Sequence, residues 1–311
     1  MKYFKRIFIV ALMSLTVLSG CSLPGLGGGA NDPVRITALN TSESQIMAHM
    51  LRLLIEHDTD GEIKPTIINN LGASTVQHNA IVNGDANMSS TRYSGTELTG
   101  PLGQDPIANS EEAMQVVQEE FQEQFDQKYF NSYGFDNSYA FMVTKETAEE
   151  YDLETVSDLE EHKDELELGV DSSWLNREGD GYPGFVDHYG FSFDTVRPMQ
   201  IGLVYDALDN GSLDVSLGYT TDGRIASYDL VVLEDDKEFF PAYDTSALAT
   251  DELLEEYPEL VDIVGKLTGK ISTEQMQQLN YKADGEGREP ALVAEEYLEE
   301  HNYFEDEEGG R

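Results

Sequence analysis

"AIVNGDANMSSTRYSGT" (residues 80–96) and "ALDNGSLDVSLGYTTDG" (residues 207–223) carry the same message twice. Each runs from a helix end through an Asn-Gly pair into a short strand and then places a tyrosine just beyond that strand. Tyr93 follows Gly84 by nine residues and Tyr219 follows Gly211 by eight, and small, hydroxylic residues come after both. Two α/β units presenting matching loops would make a cleft, because ligands of open α/β sheets bind outside the carboxyl ends of strands. Turn chemistry and strand packing alone also produce Asn-Gly pairs and strand tyrosines, so the echo has to be weighed with the rest of the chain.

Working outward, strand-like runs alternate with amphipathic helices, the pattern of an α/β protein. "VRITAL" (34–39), "KPTIINNLG" (64–72), "YAFMV" (139–143), "LELGV" (166–170) and "YDLVVL" (228–233) are expected strands. "SESQIMAHMLRLLIEH" (42–57) reads as a helix capped by its serines. In residues 111–125, Met114, Val117, Phe121 and Phe125 recur at helical spacing, which predicts one buried stripe. Ser272 and Gln275 have the spacing of a capping box, and Pro290 suits the first turn of a last helix. "EDEEGGR" (305–311) reads as a solvated acidic tail.

The start of the chain speaks to compartment. Lys2, Lys5 and Arg6 precede an apolar run, Ile7 to Leu18, that ends in "LSGC" at Cys21. This is the pattern of a lipoprotein signal peptide (1–20), cleaved so that Cys21 carries the lipid. The run is shorter than the ~17 residues a membrane span needs. Cys21 is the sole cysteine, which excludes disulfides within the chain and cysteine-based metal sites. Residues 21–32, "CSLPGLGGGAND", form a loose tether to the outer face of the cell membrane.

Sixty acidic residues against 19 basic ones give a net charge of −41, which repels nucleic acid and anionic lipid alike. Self-repulsion of this size is relieved at ~1 M salt, where the screening length falls to about 3 Å. The charge therefore fits either a salty external medium or simply an acidic exported protein.

Tyrosines on both sides of a cleft suit one kind of ligand in particular. A quaternary ammonium has no proton to donate, so its site relies on aromatic faces, each contributing ~0.5–2 kcal/mol. Tyr139 in "FDNSYAF", at the start of a strand, and Tyr243 in "FFPAYD", where a strand has ended beside a proline, stand in settings like those of Tyr93 and Tyr219. Among 16 tyrosines, periodicity alone does not select these four.

The stretches "TRYSGTELTG", "YGFDNSYAFMVTKETAEEY", "LELGVDSSWLNREGDGYPGFVDHYGFSF", "NGSLDVSLGYTTDGRIASYDLVVLEDDKEFFPAYD" and "NYKADGEGREPALVAEEYL", with the "CSLPGLGG" start, closely resemble the osmoprotectant-binding lipoproteins of ABC importers, which deliver glycine betaine, carnitine or choline. The resemblance covers nearly all of the mature chain. It implies a bilobed periplasmic-binding-protein fold of type II, two α/β domains joined by a two-crossover hinge. Domain I would comprise residues 33–136 and 237–304, and domain II residues 137–236. It further implies a cage of Tyr93 and Tyr243 from domain I and Tyr139 and Tyr219 from domain II, closing over a trimethylammonium group. The partners implied are that ligand and the permease subunits, and the protein is expected to be a monomer.

Thr96 matches a family position that is threonine in broad-specificity members and aspartate in choline-restricted ones. A neutral hydroxyl can donate to a carboxylate that a fixed aspartate would repel, so Thr96 favours betaine and carnitine. The glutamine common in the family at the end of the first strand is Leu39 here, leaving Asn40 or a backbone amide to donate.

Catalytic readings find little support. The six histidines form no metal-binding spacing, "GASTV" lacks the glycine of a nucleophile elbow, and no Walker A or GxGxxG appears in a strand-to-helix setting. "DTDGE", "GDGY" and "TTDGR" are Asp-Gly turns without calcium-loop spacing. Neither a cofactor, a metal nor an enzymatic activity is expected. The competing expectation is a binding protein of the same fold for another small solute, such as a polar amino acid, with the tyrosines serving as packing.

Overall fold

The computed structural model describes residues 32–177, 179 and 181–305; the signal sequence, Cys21, the tether up to residue 31 and residues 306–311 of the tail lie outside the described residues. Among the described residues, no helix is long and apolar enough to cross a membrane.

The first run of elements is β1 (Arg35–Leu39), α1 (Ser42–Asp58), β2 (Thr66–Leu71), α2 (Ser74–Val82), β3 (Met88–Tyr93), α3 (Ser94–Thr99), α4 (Ser110–Phe125) and β4 (Gln127–Tyr129). The second is β5 (Tyr139–Val143), α5 (Lys145–Tyr151), a 3-10 segment (Val156–His162), β6 (Glu167–Asp171), α6 (Ser172–Leu175), α7 (Tyr182–Tyr189), β7 (Thr195–Met199), α8 (Ile201–Asp209), β8 (Val215–Tyr219), α9 (Gly223–Ser227) and β9 (Val231–Val232). The chain closes with β10 (Thr245–Thr250), α10 (Asp251–Glu256), α11 (Leu260–Gly265), α12 (Thr273–Asn280), a π-helical turn (Tyr281–Gly285) and α13 (Pro290–Glu300).

These strands form two sheets, ordered β2-β1-β3-β10-β4 and β7-β6-β8-β5-β9. The first draws β10 from late in the chain, whereas the second uses only residues between 139 and 232. Both tyrosine strands are central, with a parallel neighbour on one side and an antiparallel one on the other: β3 lies between β1 and β10, β8 between β6 and β5. The paired sequence echo is thus an echo in topology. Its Asn-Gly pairs behave alike as well, Asn83 and Asn210 ending α2 and α8 while Gly84 (φ +75°) and Gly211 (φ +72°) take the left-handed conformation that turns the chain back into the sheet.

Each sheet has its own core. In α1, Ile46, Met47, Met50, Leu51, Leu54 and Ile55 are fully buried, each stabilising the first lobe by about 1.5–3 kcal/mol, and they pack with Val293, Ala294 and Leu298 of α13. The second core gathers Phe141, Trp174, Phe185 and Phe240 with Leu168, Val215 and Leu217. The chain passes between lobes twice, at Asp136–Asn137 and around Pro241–Asp244. The passes run antiparallel, bridged at Asp136 and Asp244, with Asn137 N donating to Tyr243 O (3.2 Å) and Thr245 N to Phe135 O (3.1 Å).

Several local expectations need correction. Helix α1 is capped by Thr41, whose hydroxyl accepts from Ser44 N; Ser42 is already helical and Ser44 is buried, its hydroxyl accepting from Leu39 N (2.8 Å). The buried stripe of α4 is Ala113, Val117 and Phe121, with Met114 and Phe125 at its margin. "YDLVVL" yields only two strand residues, because Tyr228 ends α9 and Asp229 takes a positive φ of 54°. Tyr93 and Tyr219 are the last residues of their strands instead of lying beyond them, and Tyr243 precedes β10 instead of following a strand.

Candidate site at the lobe crossovers

Strand pairing places Tyr139 beside Tyr219 in one lobe and brings the segment carrying Tyr243 to the end of Tyr93's strand in the other. Strand β10 runs antiparallel to β3 with Thr245 opposite Tyr93, so the segment leading into β10 lies beside the end of β3, where Ser94 N donates to Asp244 O (3.1 Å). Tyr243 then packs against the first turn of α3. A Cβ on Gly95 would stand 2.7 Å from Ala242 O and 3.0 Å from the Tyr243 ring, so glycine is what permits this approach. In the second lobe, Tyr139 and Tyr219 are partners in the β5–β8 register. Their ring centroids are 5.0 Å apart at 37°, and their hydroxyls are 3.4 Å apart. Tyr205 supports this pair from beneath, accepting from Tyr219 N at 2.7 Å. Tyr219 is 36% exposed, unusually open for an aromatic ring at a strand end, and Tyr139 is half-buried.

Links between the pairs run through the first crossover. Tyr93, 8% exposed, donates from its hydroxyl to Glu43 Oε1 (2.8 Å), and Asn137 Nδ2 donates to the same oxygen (3.0 Å). Thr220, next to Tyr219, ties β8 to the crossover: its hydroxyl donates to Asp136 O (2.6 Å) and accepts from Ser138 N (3.1 Å). Tyr243 N donates to Asp136 Oδ2 (2.6 Å). Burial pushes the Asp136 carboxyl up to about 6, opposed by the Tyr243 N–H and reinforced by the charges of Asp244 and Glu43. Burial also raises the Tyr93 hydroxyl well above its usual range, as does Glu43, which fixes Tyr93 as the donor.

Among the described residues, a cationic side chain contacts the second-lobe pair. Arg177 Nη2 donates to the Tyr139 hydroxyl (2.9 Å), and the guanidinium carbon lies 5.3 Å from the Tyr139 ring centroid. This distance is within cation–π range. A cleft of about 540 Å³ beside the crossovers is lined by Asn109, Ser110, Asp136, Tyr139, Phe240 and Asp244 among others; of the four tyrosines, Tyr139 alone lines it.

Thr96 lies in α3, half-buried, three residues beyond Tyr93. Asn40 is exposed at the end of β1; its N–H goes to Leu71 O (3.1 Å), and none of its hydrogen bonds reaches the tyrosines. Leu39 is buried. Glu43, Asn137 and Arg177 do not stand out in the sequence. Glu43 looks there like an ordinary first-turn acid, and Asn137 and Arg177 acquire their neighbours only through tertiary structure.

Two α/β lobes joined by paired crossovers define a bilobed solute-binding protein of the type II periplasmic kind. The chain belongs to the family of substrate-binding domains of ABC-type glycine betaine transport systems, whose model matches residues 32–300. It is 54% identical over 305 residues to the carnitine transport binding protein OpuCC of Listeria monocytogenes, covering 98% of both chains. A crystal structure described as a glycine betaine/carnitine/choline ABC transporter superposes with a TM-score of 0.86 at 66% identity, covering 88% of this chain and all of that one. Apo YehZ from Escherichia coli shares the fold at 20% identity, with a TM-score of 0.78 over 87% of this chain and 99% of its own. The protein is thus the extracytoplasmic substrate-binding component of an ABC importer, with a small-molecule ligand and a membrane permease as partners.

Proposed function

We propose that the protein captures glycine betaine and carnitine, with choline as a weaker ligand, and that Tyr93, Tyr139, Tyr219 and Tyr243 close as a cage over the trimethylammonium group. The observation that supports this reading is the close Tyr139–Tyr219 ring pair at the ends of β5 and β8, with Tyr93 closing β3 and Tyr243 lying beside Gly95 in the other lobe. The lobes, with the second pass placed around Pro241–Asp244 instead of at residue 237, would change population as ligand bridges them.

For the carboxylate, Thr96 offers a neutral hydroxyl on the first lobe, and Arg177 offers a guanidinium on the second. Where Arg177 lies over Tyr139 it shares that ring with any incoming cation, so binding would draw it toward the carboxylate. Asn40, exposed at the end of β1, is the remaining candidate donor.

Cys21 would anchor the monomeric protein to the outer face of the membrane by its lipid, two acyl chains sufficing for stable attachment. The charge of −41 suits a salty medium, and unfolding temperatures that do not rise from low to molar NaCl would remove that part of the proposal.

The deciding experiment is calorimetric titration with glycine betaine, carnitine, choline and a set of polar amino acids. Binding of the first two with choline behind them is expected. Absence of betaine and carnitine binding, or tighter binding of an amino acid, overturns the reading.

A further inference from the structure

Glu43 has no place in a cage built of aromatic faces, yet its carboxylate holds the hydroxyl of one of those rings. It is 3% exposed in the first turn of α1. Its Oε1 accepts from the Tyr93 hydroxyl (2.8 Å) and from Asn137 Nδ2 (3.0 Å). Its Oε2 is buried without a partner in hydrogen-bonding geometry, although the Thr221 and Asn280 side chains are near enough to favour the charged form somewhat. None of the ion pairs among the described residues includes Glu43. A buried carboxylate is normally paired, because an uncompensated charge in a low-dielectric interior is costly.

We infer that Glu43 is the buried counter-charge of the site, completed when a quaternary ammonium binds against the face of Tyr93. The inference rests on the cage reading above and deepens it. A carboxylate accepting from a phenol hydroxyl pushes electron density into the ring and strengthens the attraction of its face for a cation. It also attracts the ligand's charge directly across a short, poorly screened distance.

Burial raises the Glu43 carboxyl above its ordinary value, so it holds its proton to higher pH than an exposed glutamate does. A bound cation favours the ionised form, and binding there releases a proton. The titratable groups coupled to Glu43 are Tyr93 from β3, which stays protonated, and Asp136 from the crossover. The α12 helix and the loop after β8 bring the neutral Asn280 and Thr221.

The test is glycine betaine titration of the full chain between about pH 5 and about pH 8, in pairs of buffers with different ionisation heats, for wild type, Glu43→Gln and Asp136→Asn. In Glu43→Gln the amide oxygen can still accept from Tyr93 and Asn137, so this variant removes the charge and keeps the geometry. Wild type should bind less tightly and release a proton toward acid pH. Asp136→Asn should still do both. Glu43→Gln should bind about tenfold more weakly at neutral pH, with little pH dependence and no proton release. Betaine binding by wild type without proton release, or loss of that release in Asp136→Asn, overturns the assignment whether or not Glu43→Gln folds. Equal affinity of wild type and Glu43→Gln across the range does so too. Each of these results leaves the cage itself standing, whereas failure of wild type to bind betaine at any pH removes the cage.

Discussion

Arg92 and Glu97, both essentially inaccessible to solvent, form an ion pair that brackets Tyr93 and Thr96. Arg92 Nε donates to Glu97 Oε1 at 2.8 Å, and Nη2 donates to Oε2. The pair spans the corner where β3 becomes α3, the corner that aims the first-lobe tyrosine. The guanidinium also lies 5.6 Å from the Phe121 ring centroid.

Removing one partner of this pair strands the other charge in the core, a loss of about 3–5 kcal/mol. Glu97→Ala and Arg92→Ala should each lower the urea midpoint strongly. The double replacement by apolar residues should recover much of the loss, since the cost comes from the uncompensated charge. A single variant as stable as wild type would show that the corner holds without the pair.

At the second-lobe pair, the ring faces should matter more than the hydroxyls. Tyr219→Ala and Tyr139→Ala are each expected to weaken betaine binding by ~0.5–2 kcal/mol, roughly 2- to 30-fold. Tyr219→Phe keeps the face and should stay close to wild type. Tyr139→Phe also loses the Arg177 hydrogen bond of the empty site, which frees the guanidinium, so it should cost less for carboxylated ligands than for choline. Titration of the four variants against betaine and choline checks both statements; alanine variants indistinguishable from wild type would contradict them.

The parts of the architecture legible in the sequence are those written in local chemistry. Asn83-Gly84 and Asn210-Gly211 announce turns because their glycines adopt positive φ, and Ser272 with Gln275 forms the capping box its spacing implies. Strand β10, "TSALAT", escapes recognition because its small residues show no alternation; it is a strand because β3 and β4 flank it. "YDLVVL" misleads in the opposite direction, its apolar run being interrupted by the end of α9. The pairing of Tyr139 with Tyr219, and the approach of the Tyr243 segment to the end of β3, depend on sheet registers between distant segments, which no local pattern encodes. Glu43 shows the same limit, since its partners are 50 and 94 positions away.

The crossover should make stability depend on pH with a definite sign. Folding raises the Asp136 carboxyl from 3.8 to about 6, so in that interval the native state holds more proton than the unfolded chain. The Asp136 contribution is therefore most favourable at acid pH and is lost as pH rises through about 6, a cost on the order of 2 kcal/mol once partial exposure is allowed for. His49 and His78, each lowered to about 4 chiefly by burial, act in the other direction: their contribution is present above about 6.5 and lost as pH falls. The difference between wild type and Asp136→Asn isolates the carboxylate, because the amide oxygen that replaces it can still accept from Tyr243 N. Urea unfolding should find the variant more stable near pH 8 and closer to wild type near pH 4; a constant difference across that range would contradict the assignment.

At Gly95, backbone and site are tightly joined. Its added methyl would meet the Ala242 carbonyl at 2.7 Å, and backbone there cannot rotate away as a flexible side chain would. The second neighbour, at 3.0 Å, is the Tyr243 ring, the more mobile of the two. Gly95→Ala should therefore displace the segment entering β10 and swing Tyr243 off the first-lobe wall. A stability loss of about 1–3 kcal/mol is the usual cost of such overpacking. Affinity for betaine should fall at temperatures where the variant is fully folded, which separates a displaced ring from general unfolding. Paired with Tyr243→Ala, the two losses should not add, because each removes the same face. Additive losses would mean that Gly95 shapes the site through some route other than Tyr243.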